Sequence, residues 1–167
     1  NFYTLGASPI PPVSQAAKKT RIMIGPVNLP AMVDRPQLVL QNANNTVQVY
    51  EYHRWANTLR GDVGDVIASN VAQALGISNV WSFSQSTQTN FDYQVLIDVQ
   101  NIDTKLGDRV VVDVMWTIKP AAKIKSSGKL ALGASSVSTA KPIMGRSLVQ
   151  EQVTGSGFEA VVAAQSR

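Results

Sequence analysis

Side chains able to do acid–base or nucleophilic work are few and scattered in this chain. His53 is the single histidine, there is no cysteine, and the nearest thing to a carboxylate group is Asp92, Asp98, Asp103, Asp108 and Asp113. Two carboxylates held together can share a proton or activate a water, and Asp98 and Asp113 fall on the polar faces of two neighbouring predicted strands. Lys105 and Arg109 lie near enough in sequence to neutralise them, so a charge-balanced solvent face is the expectation. His53 ends a predicted strand beside Arg54. With no thiolate and no second histidine, a metal site would need carboxylates from elsewhere, so a strand-end surface histidine is expected. No P-loop, Rossmann fingerprint, GxSxG elbow or HExxH occurs, and the "GSG" of residues 155–157 is accounted for by helix capping. Neither catalysis nor a cofactor nor a metal is expected.

The elements that would position these groups follow from hydrophobic period. Val63, Val66, Ile67, Val71, Ala74 and Leu75 recur at helical spacing, with Gly76 where a left-handed cap belongs. Asp62 and Asp65 are placed on that helix's polar face, complementing its positive N-terminal end. Tyr93, Val95, Ile97 and Val99, and then Val110, Val112, Val114, Trp116 and Ile118, alternate as the buried faces of two strands joined by the turn "DTKLGD". "FYTL", "RIMIGPV" ending at Pro26, Gln37 to Gln41 and Val47 to Glu51 read as shorter strands. "GKLALGASSVSTA" reads as a third strand of the meander, and Ser156 with Glu159 has capping-box spacing before a terminal helix. The fold class expected is α+β, with a largely antiparallel or mixed sheet and two main helices packed on one face, in a single domain over residues 1–167.

At 167 residues, 44% hydrophobic and 16% charged, the chain can bury one core. Asn, Gln, Ser and Thr exceed a quarter of it, which leans towards an extracytoplasmic protein. No apolar run approaches the roughly 18 residues of a membrane span. The net charge of +4 is uneven. From Val114 to Gln150 there are six basic residues and no carboxylate, a block read as a solvated hairpin end. Trp55, Trp81 and Trp116 do not interleave with it, so no nucleic-acid stacking platform is expected.

"IGPVNLPAMVDRPQLV", residues 24–39, holds three prolines. Pro26 and Pro30 lack amide donors, and Pro36 biases Arg35 to an extended conformation, so residues 28–36 read as a stiff loop between strands. On one reading Asp34 makes a turn contact and Arg35 pairs with a carboxylate or carbonyls. On the other, Met32, Val33 and Arg35 meet a partner.

The order "FYTL", "IGPVNLPAMVDRPQLV", "WANTL", "IASNVAQAL" and "YQVLIDV…VVVDVMWTI" resembles the ABC-type transport auxiliary lipoproteins, including those of paraquat-inducible operons that accompany MCE (mammalian cell entry) proteins. The resemblance spans essentially the whole chain. It implies a non-catalytic periplasmic adaptor, tethered to the outer membrane of a Gram-negative envelope by lipid on a cysteine upstream of Asn1, with residues 6–20 as a Pro-rich spacer. The implied partner is the MCE-type membrane protein of a lipid transport system that maintains membrane integrity; phospholipid and further copies of the chain are also implied. An alternative is a module that itself carries lipid, which requires an apolar groove. A periplasmic hydrolase acting through Asp98 and Asp113 is the third reading.

Overall fold

In the computed structural model of the chain, residues 1–7, 9, 20–41, 44, 46–83, 90–121, 141–155 and 157–166 are described. The elements run β1 (Phe2–Tyr3), β2 (Ile22–Asn28), β3 (Gln37–Gln41), β4 (Val47–Trp55), α1 (Leu59–Leu75), β5 (Val80–Ser82), β6 (Tyr93–Thr104), β7 (Arg109–Pro120), β8 (Ile143–Gln152) and α2 (Phe158–Ser166). The fold is α+β, and its strands form two sheets, one ordered β1-β4-β3 and the other β5-β2-β6-β7-β8. Both are mixed. β2 runs parallel to β5 and β6, whereas β6, β7 and β8 form an antiparallel meander.

The β6–β7 hairpin is the one its alternation predicts. Val95, Ile97 and Val99 pair with Ile118, Trp116 and Val114 on the inner face, and a one-residue slip after Val99 realigns Ile102 with Val112. That slip keeps apolar side chains inside over twelve-residue strands.

α1 begins at Thr58, whose hydroxyl accepts the Gly61 N–H, and ends at Gly76 in the left-handed conformation. Its apolar stripe lies on Ile22, Ile24, Val27, Ile97 and Val99. Its two aspartates are not solvent-facing. Asp62 is buried and accepts hydrogen bonds from the Leu5 N–H at 3.4 Å and Asn57 Nδ2 at 3.2 Å. Asp65 accepts the hydroxyl of the buried Ser82. These carboxylates hold β1's following residues and β5 against the helix, a stronger role than complementing its dipole.

Pro26 does not end β2. The strand continues to Asn28 through an irregularity between Ile24 and Val27. Gly25 makes this possible at φ +112°, and a Cβ there would lie 2.8 Å from Phe83 Cβ; only glycine fits. The third strand of the meander is β8. The one expected over 128–140 lies outside the described residues, as do most of the Pro-rich spacer and the Ser156 cap.

α2 lies against both sheets. Val161, Val162 and Ala164 are buried in one cluster with Leu38 and Leu40 of β3, Trp55, Leu59, Val110 of β7 and Val153. No helix of the described residues is long and apolar enough to cross a membrane.

Candidate functional site

His53 lies near the end of β4, half-buried in an aromatic stack. Its ring centroid is 3.8 Å from that of Phe158 at an interplanar angle of 16°. Tyr50 meets Phe158 edge-on at 4.9 Å, and the Tyr3 hydroxyl contacts His53 Nδ1 at 3.0 Å. The imidazole joins β1 and β4 to the first turn of α2, which is packing work.

The aspartates of the meander are also engaged. In register Asp98 stands opposite Met115 and Asp113 opposite Asn101, so the two carboxylates share the outer face without facing each other. Arg146 of β8 grips Asp113 with two bonds, one from Nε at 2.8 Å and one from the terminal guanidinium nitrogen. These bonds hold the Asp113 carboxyl below the ordinary carboxylate range against an opposing desolvation, and the Arg146 charge adds to the lowering. The same bonds raise Arg146. Asp92 accepts the Arg21 N–H at 3.0 Å and stands 3.6 Å from its guanidinium. Asp103 accepts from Asn101 Nδ2 at 2.7 Å. The neutralising cations are therefore Arg146 and Arg21. Among the described residues Lys105 and Arg109 form no ion pair.

In the proline loop, Val33 and Asp34 donate their N–H groups to the Pro30 carbonyl at 3.0 and 3.1 Å. This turn sends neighbouring side chains in opposite directions. Val33 is 8% exposed and belongs to the core with Leu38 and Trp55, so it offers no surface to a partner. Met32 is 51% exposed. Asp34 pairs with Arg60 of α1, a partner that sequence proximity does not suggest. Arg35 is exposed, and among the described residues its side chain makes no ion pair.

A larger apolar surface lies on β8. Among the described residues this ten-residue strand is the outermost beside β7 in the five-stranded sheet. Its residues are nearly all exposed, with Met144 at 65%, Leu148 at 71% and Ile143 and Val149 also open. Met115 of β7 and Met144, Leu148 and the Asp113–Arg146 pair share the outer face, while Ile143, Val149 and Glu151 turn to the inner one. From Ile143 to Gln150 this apolar edge presents a row of backbone donors and acceptors that no other described strand takes up. Sequence reasoning missed it. The available signal was two adjacent apolar pairs, Ile143-Met144 and Leu148-Val149, which no one-sided strand would carry.

On the inner face of the same strands runs a groove of about 250 Å³. Val112, Val114 and Val149 floor it, α1 walls it with Val66 and Asn70, and α2 with Ala164 and Gln165. The side-chain oxygens Asn70 Oδ1 and Gln165 Oε1 are buried without a hydrogen-bond partner among the described residues. Gln165 Nε2 donates to the buried Thr104 hydroxyl at 3.0 Å. Asn70 could have been singled out from the sequence, because an amide there interrupts the stripe of Val63, Val66, Ile67 and Val71.

Comparison with known proteins places the fold and the family. The chain is similar to protein XCC0632 from Xanthomonas campestris, with a TM-score of 0.72 at 13% identity over 99% of this chain and 86% of that one. It is also similar to a crystal structure of an uncharacterized protein, with a TM-score of 0.67 at 14% identity, covering 98% and 88% of the two chains. No protein of curated function matches it. At these identities the likeness establishes the fold. The family rests on the sequence itself: the model of the ABC-type transport auxiliary lipoprotein component matches residues 3–167, and the chain belongs to that family.

Proposed function

We propose that this lipoprotein is a non-catalytic adaptor of an MCE-type lipid transport system, tethered on the periplasmic side of the outer membrane, where it docks the system's MCE protein and assembles with further copies of itself. One observation carries the docking role: the apolar, solvent-facing edge of β8. Strand addition to such an edge satisfies the free backbone groups, and pockets for Met144 and Leu148 supply selectivity. The engagement of His53, Asp92 and Asp113 in packing and ion pairs supports a binding role over hydrolysis.

The test is capture of the lipidated full-length protein by its cognate MCE protein. Replacing Met144 and Leu148 together by Glu should lower capture by at least about tenfold, equivalent to about 1.4 kcal/mol, with thermal unfolding unchanged. Arg35→Ala, assayed for both oligomerisation and capture, separates the proline loop from β8. A wild-type protein that fails to bind, together with an intact envelope on deletion, would sink the proposal.

A second reading, that the domain itself carries lipid, is favoured by the groove between α1 and α2.

A further inference from the structure

We infer that the outer face of the small sheet, with Phe2 and Tyr52 as its two aromatic contacts, lies against the headgroup region of a phospholipid bilayer and sets the orientation of the tethered domain. The inference rests on the lipid tether of the proposed function and names the face that the tether turns to the membrane.

Alternation sets what the first strand shows. Tyr3 and Leu5 pack against the core, while Phe2 and Thr4 are exposed. Phe2 is 75% exposed. It registers with Arg54 of β4, which in turn registers with Gln37 of β3. The three residues form one row across the sheet, on the side away from the core residues Trp55 and Leu38.

β4 then departs from regular pairing. Gln37 stands opposite Arg54 but Leu38 stands opposite Tyr50, so Glu51, Tyr52 and His53 have no register partner in β3. An irregularity of this kind re-aims side chains. His53 turns in to stack on Phe158. Tyr52 turns out to 88% exposure, the highest of any large hydrophobic side chain among the described residues.

Where the tether joins the fold decides what covers this face. The Asn1 nitrogen donates to the Tyr52 carbonyl at 2.9 Å, and the Asn1 carbonyl accepts the Arg54 N–H at 2.9 Å. A lipid-bearing segment ahead of Asn1 therefore meets the fold beside Phe2 and Tyr52. A short tether holds a surface near its target at roughly millimolar effective concentration, so a small patch is enough to keep the contact made. Tyrosine suits the membrane interface, with its ring among acyl carbons and its hydroxyl among headgroups, and phenylalanine suits the apolar side of the same boundary. Charge does not oppose the contact. The Arg54 guanidinium stands 3.9 Å from the Glu51 carboxylate, so zwitterionic lipid suffices. The face shares no strand with β8, and membrane contact and docking use separate surfaces.

The experiment places the acylated full-length lipoprotein on phosphatidylcholine vesicles and isolates the complex by flotation. These 167 residues contain no cysteine, so Gln37→Cys gives one site among them for an environment-sensitive fluorophore, in the row of Phe2 but across β4 from the tether. Leu148→Cys on β8 is the control. The label at position 37 should shift to the blue and be quenched by lipid carrying a headgroup nitroxide, and the label at 148 should do neither. Phe2→Ser with Tyr52→Ser should abolish both signals at 37 while the protein still floats and its unfolding midpoint is unchanged. Tyr52→Ser alone repeats the test should the pair lower the midpoint. A floating protein whose label at 37 stays in water, equal signals at 37 and 148, or signals that survive loss of the rings would each overturn the inference and leave the tether standing. Failure to float would overturn the tether and the inference with it. Shielding at 37 that appears without vesicles as protein concentration rises would give the face to a second copy, and shielding that needs the MCE protein would give it to docking; either result overturns the inference.

Discussion

The indole of Trp116 lies across Gly145 of the neighbouring strand, so closely that a Cβ on Gly145 would sit 2.2 Å from its Cζ2 atom. The two residues are register partners on the inner face, and Trp116 Nε1 donates to Ser147 Oγ at 3.2 Å. The ring thus shields an edge glycine and anchors β8 to β7. Gly145→Ala should force the indole out of this seat, destabilising the domain by about 1–3 kcal/mol. Thermal unfolding and a red-shifted tryptophan emission read the change.

The Asp113–Arg146 pair makes one end of the meander acid-sensitive. Because the folded carboxyl lies below the ordinary aspartate range, the folded state holds the proton less tightly than the unfolded chain does. The stabilisation is then fully present above about pH 4 and is lost as the pH falls through the lowered value. Asp113→Asn should flatten that acid limb. Unfolding midpoints of the two proteins, compared from about pH 2 to 6, should differ at the upper end and converge at the lower.

Ser82 places a buried hydroxyl against the Asp65 carboxylate. Ser82→Ala should cost about 1–3 kcal/mol, since a buried hydroxyl's bond to a carboxylate is lost. Denaturant unfolding measures this, and Ser82→Thr tests whether the hydroxyl alone suffices.

Within the proline loop, adjacent residues should behave oppositely. Val33→Ala removes buried methyl groups and should cost about 2 kcal/mol. Met32→Ala should change stability by no more than about 0.5 kcal/mol, and any effect it has should appear in partner capture. Equal effects on stability would contradict the turn geometry.

What sequence patterning reveals depends on whether one face of an element is buried. β6, β7 and α1 were legible because a single face of each meets the core, and Gly76 marked the helix end in chemical terms. β8 was not, since an edge strand with both faces open carries no alternation to read. Pro26 misled because a proline ends a strand only where its missing N–H was needed, and the irregularity after Ile24 removes that need. The Tyr3–His53–Phe158 stack joins residues far apart in sequence and has no local signature. The groove is further still from legibility: it is a space left between two helices, each held elsewhere by its own contacts.

The position of α2 against both sheets also sets an order of events. Leu38, Leu40 and Val110 cannot be sealed from water until residues 158–166 are present. The two sheets therefore share one sealed core only with α2 in place.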